Sequence, residues 1–184
     1  VDVYVPADSS SEMAQEEMLR GLTGSPKSLP PKYFYDSTGS ELFERITELP
    51  EYYPTRVEQR LLESWATGLM AQVRPEELIE LGTGSTAKIR SLLDAPSTAG
   101  HLNRYVALDV SKHVVKTAVR GLTRSYPFLY AYGMVGDFER HMEHLPPPTG
   151  RRLVVFFGST IGNLDREARH DFLVQLQRQL TSDD

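Results

Sequence analysis

Apolar positions along this chain follow two different rhythms. Through residues 1–74 they recur every three or four positions, the spacing that lines one face of a helix. Met13, Met18 and Leu19 mark a first helix running to about Leu22, capped by Ser10 or Ser11 and ended by Gly24-Ser25-Pro26. Leu42, Phe43, Ile46 and Leu49 mark a second, with Ser40 as its cap and Pro50 as its stop. Pro54 opens a third that runs to about Val73. In it Val57, Leu61, Trp65 and Leu69 recur every four residues, and Leu62 and Met70 widen the stripe. Residues 1–10 read as a loose arm, and residues 28–36 as a Pro-Pro turn followed by three aromatics.

From residue 75 the rhythm changes. Residues 78–81, 105–110, 128–135 and 152–157 are short, nearly continuous apolar runs, and helical patterns follow at 86–93, 112–125 and 165–180. Strands that do not alternate are buried on both faces, and strands alternating with helices build parallel βαβ units. The reading is α/β: a helical region over residues 1–74 leading into an open parallel sheet of about four strands over residues 75–184.

Composition narrows what such a chain can do. Twenty-five acidic against twenty basic side chains give a net charge of -5, which removes the basic field of a nucleic-acid binder. The chain has no cysteine, which excludes a disulfide framework, a thiol nucleophile and a cysteine-based zinc site. No apolar run is long enough to span a bilayer and the amino end does not resemble a signal peptide, so the expectation is a cytoplasmic protein with no membrane partner. The sequence starts at Val1 rather than methionine and stops at Asp184 directly after a helical pattern, as a fragment would.

In open parallel sheets, ligands sit outside the carboxyl ends of the strands, which makes the strand ends the informative positions. The first apolar run ends in Gly82-Thr83-Gly84-Ser85. That turn lets the backbone approach a ligand and leads into a helix whose free N–H groups face the same space. Gly82-x-Gly84-x-x-Ala87 also fits a dinucleotide fingerprint, and a tight turn without a ligand is the plainer alternative. Asp109 ends the second run and can accept hydrogen bonds from both hydroxyls of a ribose, or merely cap a helix. Asp137 ends the third, where an acid can accept an adenine amino hydrogen while the Phe138 ring covers the base; a helix cap is again the alternative. Taken together, the three strand ends describe a nucleoside pocket.

Glu80 lies inside the strand end, where a carboxylate repels a pyrophosphate and suits an ammonium, favouring S-adenosylmethionine over a nicotinamide dinucleotide. Lys88, one turn into the helix, can reach the ligand's carboxylate or stand as a solvated surface lysine. The segment Gly158-Ser159-Thr160-Ile161-Gly162 has the setting of a hydrolase elbow but carries Thr160 where the nucleophilic serine would stand. Asn163 closes that loop and could cap the last helix. His141 and His144 have no third ligand in view, so no metal is expected. An NAD(P)-binding oxidoreductase and a non-catalytic module on the same fold are the alternatives.

The segment PKSLPPKYFYDSTGSELFERITELPEYYPTR, followed by ELGTGSTAK, ALDVS, GDFE and FFGSTIGN, resembles the histidine-specific S-adenosylmethionine-dependent methyltransferase family over residues 8–180. The resemblance implies a Rossmann-like methyltransferase fold and trimethylation of the α-amino group of L-histidine to hercynine, in ergothioneine biosynthesis. It implies cofactor contacts at Tyr35, Gly82, Lys88, Asp109, Asp137 and Phe138, and substrate contacts at Tyr52 and Asn163, with no residue assigned as a catalytic acid or base. It also implies that a carboxyl-terminal part, absent from this sequence, completes the substrate pocket and the sheet. The family's strand order, 3-2-1-4 counting the four runs, puts residues 152–157 at a sheet edge, where self-association is expected.

Overall fold

The computed structural model of the chain describes residues 1–4, 12–96 and 100–184. Five strands make up one sheet: Asp2–Val3 (β1), Glu77–Leu81 (β2), Arg104–Asp109 (β3), Tyr130–Val135 (β4) and Arg152–Val155 (β5). Their order is β1-β4-β3-β2-β5 and every pairing is parallel, so the carboxyl ends of all the strands point the same way. The four apolar runs therefore take the expected order, with residues 152–155 at an edge. All five residues of β2 are buried, as a central parallel strand requires.

The expectation of a loose amino-terminal arm is corrected at its start. Asp2 and Val3 pair with Met134 and Val135, and the Tyr4 amide donates to the Val135 carbonyl at 2.8 Å. An uncovered β4 would present unpaired backbone groups along its edge, and even two residues satisfy part of them.

The helices are Glu12–Thr23 (α1), Ser37–Thr47 (α2), Tyr53–Val73 (α3), Ala87–Leu93 (α4), Lys112–Ser125 (α5) and Arg166–Arg178 (α6). Single 3-10 turns cover Pro31–Phe34, Met142–His144 and Thr160–Asn163. The expected caps of α1, Ser10 and Ser11, lie outside the described residues. Helix α2 begins earlier than its Ser40 cap predicted: Asp36 caps it, accepting from the Gly39 amide at 2.7 Å. Gly39 fits there because a Cβ would fall 1.6 Å from the Phe34 carbonyl oxygen. Asp165, not Asn163, caps α6, accepting from the Ala168 amide at 2.9 Å.

Neighbouring residues of each strand point to opposite faces, and the core divides accordingly. Leu78 and Tyr105 pack with Ile89, Leu92 and Leu122 beneath Ala66 and Met70 of α3. Ile79, Leu81, Val106 and Leu108 pack on the other face with Met134, Met142 and Phe172. Only part of the apolar stripe of α3 faces the core: Met70 is fully buried and Val57 and Leu62 are half-buried. Leu61, Trp65 and Leu69 are 46, 68 and 36 % exposed, whereas Ala66 and Met70, one position further round, are buried. Contact with α4 selects this side: small Ala66 permits close approach, and Gln59 Nε2 donates to Ser91 Oγ at 2.9 Å on the same flank.

At the end of the sheet opposite the strand tips, the fully buried Glu77 carboxylate takes Arg152 Nε at 2.7 Å and Arg104 Nε on its other oxygen. Arg152 also donates to the Gln179 carbonyl at 3.1 Å and to the carbonyl of Pro146. This charged junction ties β3, β2 and β5 at their amino ends. Among the described residues no helix is long and apolar enough to cross a membrane.

Candidate functional site

The glycine turn after β2 forms because the backbone demands it. The Gly82 amide donates to the Leu108 carbonyl at 2.8 Å, extending the ladder by one residue, and then Gly82 (φ +69°) and Gly84 (φ +47°) swing the chain into α4. These left-handed conformations suit glycine, and a Cβ at Gly84 would meet nothing within 4 Å, so that side of the turn is open. Asp109, at the tip of β3, faces this turn. Its Oδ1 accepts from the Ser111 amide at 2.8 Å and its Oδ2 from the Gly84 amide at 3.5 Å. Burial pushes the Asp109 carboxyl above its ordinary value, opposed by the N–H groups of Ser111, Gly84 and Thr83. Each oxygen still has acceptor capacity for an incoming hydroxyl.

Two tyrosines from the helical region join this corner. Burial raises the Tyr35 hydroxyl's pKa, and Tyr52 and Asp109 raise it further, which puts Tyr35 within electrostatic reach of each. Phe43 links the two tyrosines, meeting Tyr35 edge-on at 5.9 Å and Tyr52 at 6.0 Å between ring centres. Glu80 departs from expectation. It is 1 % exposed, accepts the Tyr105 hydroxyl, and burial pushes its carboxyl up to about 8. At neutral pH it is mainly uncharged, so it neither repels a pyrophosphate nor neutralises an ammonium, and that ground for preferring one nucleotide over the other falls.

The Gly136 amide donates to the Asp109 carbonyl at 2.9 Å and carries the ladder on to Asp137, so Gly82, Asp109 and Asp137 occupy the tips of three adjacent strands. The side chain of Asp137 is engaged elsewhere. Its Oδ1 accepts from the Glu139 amide at 2.9 Å, and its Oδ2 pairs at 3.1 Å with Lys32, which also pairs with Glu17 at 3.1 Å. The Phe138 ring stands edge-on to Phe156 at 4.9 Å and Phe172 at 5.8 Å, half-buried against the core face of Ile79 and Val106. His144 stacks on Tyr4 at 4.5 Å, and His141 Nδ1 accepts from the Asp137 amide at 3.0 Å.

Lys88 lies in the first turn of α4 and pairs with Glu58 of α3 at 2.6 Å. At the tip beyond β5, Gly158 (φ +73°) and Ser159 (φ +57°) make the elbow that leads through Thr160 to an exposed Asn163. The Thr160 hydroxyl donates to the Phe157 carbonyl at 2.9 Å, so the side chain at the centre of the elbow is tied to the backbone. An open recess of about 530 Å³ lies to one side, lined by Glu17, Arg20, Arg140 and His144, and neither Gly82 nor Asp109 borders it. The structure thus gathers Gly82, Asp109, Tyr35 and Tyr52 at one corner, with Lys88 on the adjoining helix. It sets Asp137 and Phe138 one strand further on and Asn163 on the opposite flank. Sequence reasoning missed Glu58 and Lys32. Each is a lone charge with no motif around it, though Lys32 does sit within the aromatic PPKYFYD segment.

A family model described as histidine-specific methyltransferase, SAM-dependent, matches residues 14–184. Over 173 residues the chain is 46 % identical to the histidine N-alpha-methyltransferase of Mycolicibacterium smegmatis, covering 94 % of this chain and 54 % of that protein. The protein of the same name from Mycobacterium tuberculosis is 44 % identical over the same shares. Ergothioneine biosynthesis protein 1 of Neurospora crassa is 35 % identical over 85 % of this chain and 18 % of its own length. A solved structure from Thermobifida fusca superposes with a TM-score of 0.53 over 91 % of this chain and 62 % of that one, at 16 % identity, which shows a shared fold. The chain spans about half the length of the mycobacterial relatives it matches.

Proposed function

The chain belongs to the histidine-specific, SAM-dependent methyltransferase family, and from that premise we propose that it is the cofactor-binding part of an enzyme that methylates the α-amino group of L-histidine, as a step toward ergothioneine. The family match over residues 14–184 carries this reading. The strand tips supply its physical support: two glycines at positive φ open the turn, and beside them stands a half-buried carboxylate with spare acceptor capacity.

On this reading Asp109 accepts the ribose hydroxyls, Gly82 lets the ligand approach the backbone, and Lys88 meets the ligand's carboxylate. Tyr35 closes the same corner, and Asp137 and Phe138 serve the adenine from the neighbouring tip. Tyr52 and Asn163 hold the amino acid's polar groups, one from each flank. When bound, S-adenosylmethionine supplies a methyl group on a positively charged sulfur, beside which an amine is favoured in its neutral, nucleophilic form. The chain's own residues contribute position and exclusion of water, and none of them is asked to move a proton.

Asp109→Ala tests the assignment. Loss of a hydrogen bond to an ionised acceptor costs about 1.5–3 kcal/mol, so affinity for S-adenosylhomocysteine should fall about tenfold to a hundredfold in calorimetry. Unchanged affinity, or tight binding of NADH in place of S-adenosylhomocysteine by the unaltered chain, would overturn the reading.

A further inference from the structure

Three elements of the proposed site meet at one side chain. Glu58, in the second turn of α3, accepts from the Gly158 amide at 2.9 Å with Oε1 and at 3.2 Å with Oε2, and Oε2 also pairs with Lys88 at 2.6 Å. The same helix starts next to Tyr52, Lys88 belongs to the helix that follows the glycine turn, and Gly158 opens the elbow that ends in Asn163. Lys88 and the elbow are direct neighbours, since a Cβ on Gly158 would stand 3.4 Å from the lysine nitrogen. The elbow needs outside support: Gly158 and Ser159 are consecutive residues in the left-handed region, and the second is not glycine. The side chains of Lys88 and Glu58 are 18 and 31 % exposed, so simple attraction between the charges is discounted by solvent, and the geometry carries the argument.

We propose that Glu58 is a positioning residue that fastens the helical region to Lys88 and to the Gly158 elbow, holding the lysine's ammonium with one proton committed and two left for an anionic ligand group. The inference rests on the methyltransferase reading, which supplies that anion as the carboxylate of the cofactor.

Two variants separate the parts of this clamp. Glu58→Gln keeps an acceptor for the Gly158 N–H and removes the charge from Lys88, whereas Glu58→Ala removes both. In calorimetry with S-adenosylhomocysteine, the alanine variant should bind about tenfold more weakly and the glutamine variant should fall between it and the unaltered chain. In a Lys88→Met background the Glu58→Gln change should have no further effect, a non-additivity that a merely structural role would not produce. Without ligand, amide exchange at Gly158 should accelerate in the alanine variant and remain slow in the glutamine variant, with the Gly136 amide unchanged as the internal standard. Equal affinities in all three proteins, or additive losses in the Lys88→Met background, overturn the proposal. If the unaltered chain does not bind S-adenosylhomocysteine, the methyltransferase reading fails; Gly158 exchange then decides the clamp alone, and exchange unmoved by Glu58→Ala overturns it.

Discussion

The sheet and the helical region in front of it are held by different forces. Strands β2 and β3 run through the middle of two apolar layers, and residues such as Leu78, Ile79, Leu81, Val106 and Leu108 are fully buried. Among the described side chains of residues 12–73 the buried apolar ones are Ala14, Ala66 and Met70, while Phe34, Leu42, Leu49, Leu61 and Trp65 stand 46 % or more exposed. The helical region is attached instead by scattered polar contacts: Lys32 to Asp137, Glu58 to Lys88 and Gly158, Gln59 to Ser91, and Arg151 to the Val73 carbonyl. Extensive buried area fixes the first region, whereas the second combines the small area buried at Ala66 and Met70 with a few polar contacts. The proposed site straddles them, with Gly82 and Asp109 on the firmly rooted side and Tyr35 and Tyr52 on the other.

Three measurements would break or sharpen that contrast. The largest effect is expected at Glu77, whose carboxylate bonds two guanidinium groups. Glu77→Gln should cost about 3–5 kcal/mol in denaturant unfolding, because it leaves buried positive charge uncompensated; a loss below about 1 kcal/mol would deny the junction its role. Next comes a matched pair on α3. Met70→Ala should cost about 2–5 kcal/mol and Trp65→Ala about 0.5 kcal/mol or less. Equal costs would mean that the exposed stripe is packed in solution after all.

The third measurement concerns pH. Glu80 has a folded-state pKa of about 8 against 4.5 for an ordinary glutamate, so between those values the native state keeps a proton that the unfolded chain has released. Stability should therefore fall as pH rises through that window, by up to about 1.4 kcal/mol per unit, and level off above it. Glu80→Gln should flatten this slope, and an unchanged slope would place the sensitivity elsewhere.

How much of this was legible in the sequence follows the same division. The central strands, the glycine turn and the three strand-tip residues were readable because burial on both faces leaves an unbroken apolar run, and left-handed turns leave glycines. Strand β1 was not, since the short apolar alternation at the amino end reads as a loose arm and the reason for the pairing lies in the open edge of β4. On α3 the periodicity marked an apolar stripe of which Met70 is buried while Leu61, Trp65 and Leu69 are exposed. Tertiary contact chose the side of small Ala66 over the side of bulky Trp65. Asp36 won over Ser40 as a cap because Gly39 had to pass beneath the Phe34 carbonyl, a contact no local pattern announces. Glu58 and Lys32 owe their importance to partners distant in sequence, Lys88 and Gly158 for the first and Asp137 for the second. Glu80 was noticed, but its protonation depends on how completely Tyr105 and its neighbours cover it.

The junction of Glu77 with Arg104 and Arg152 also bears on how the sheet avoids folding errors. A parallel strand that slips by one residue turns its core side chains outward, and in apolar runs with residues on both faces that penalty is weaker than usual. Here a slip of β3 or β5 against β2 would also drag a guanidinium off the buried Glu77 carboxylate it bonds. Electrostatics at one end thus proofreads an alignment that hydrophobicity alone would leave loosely specified.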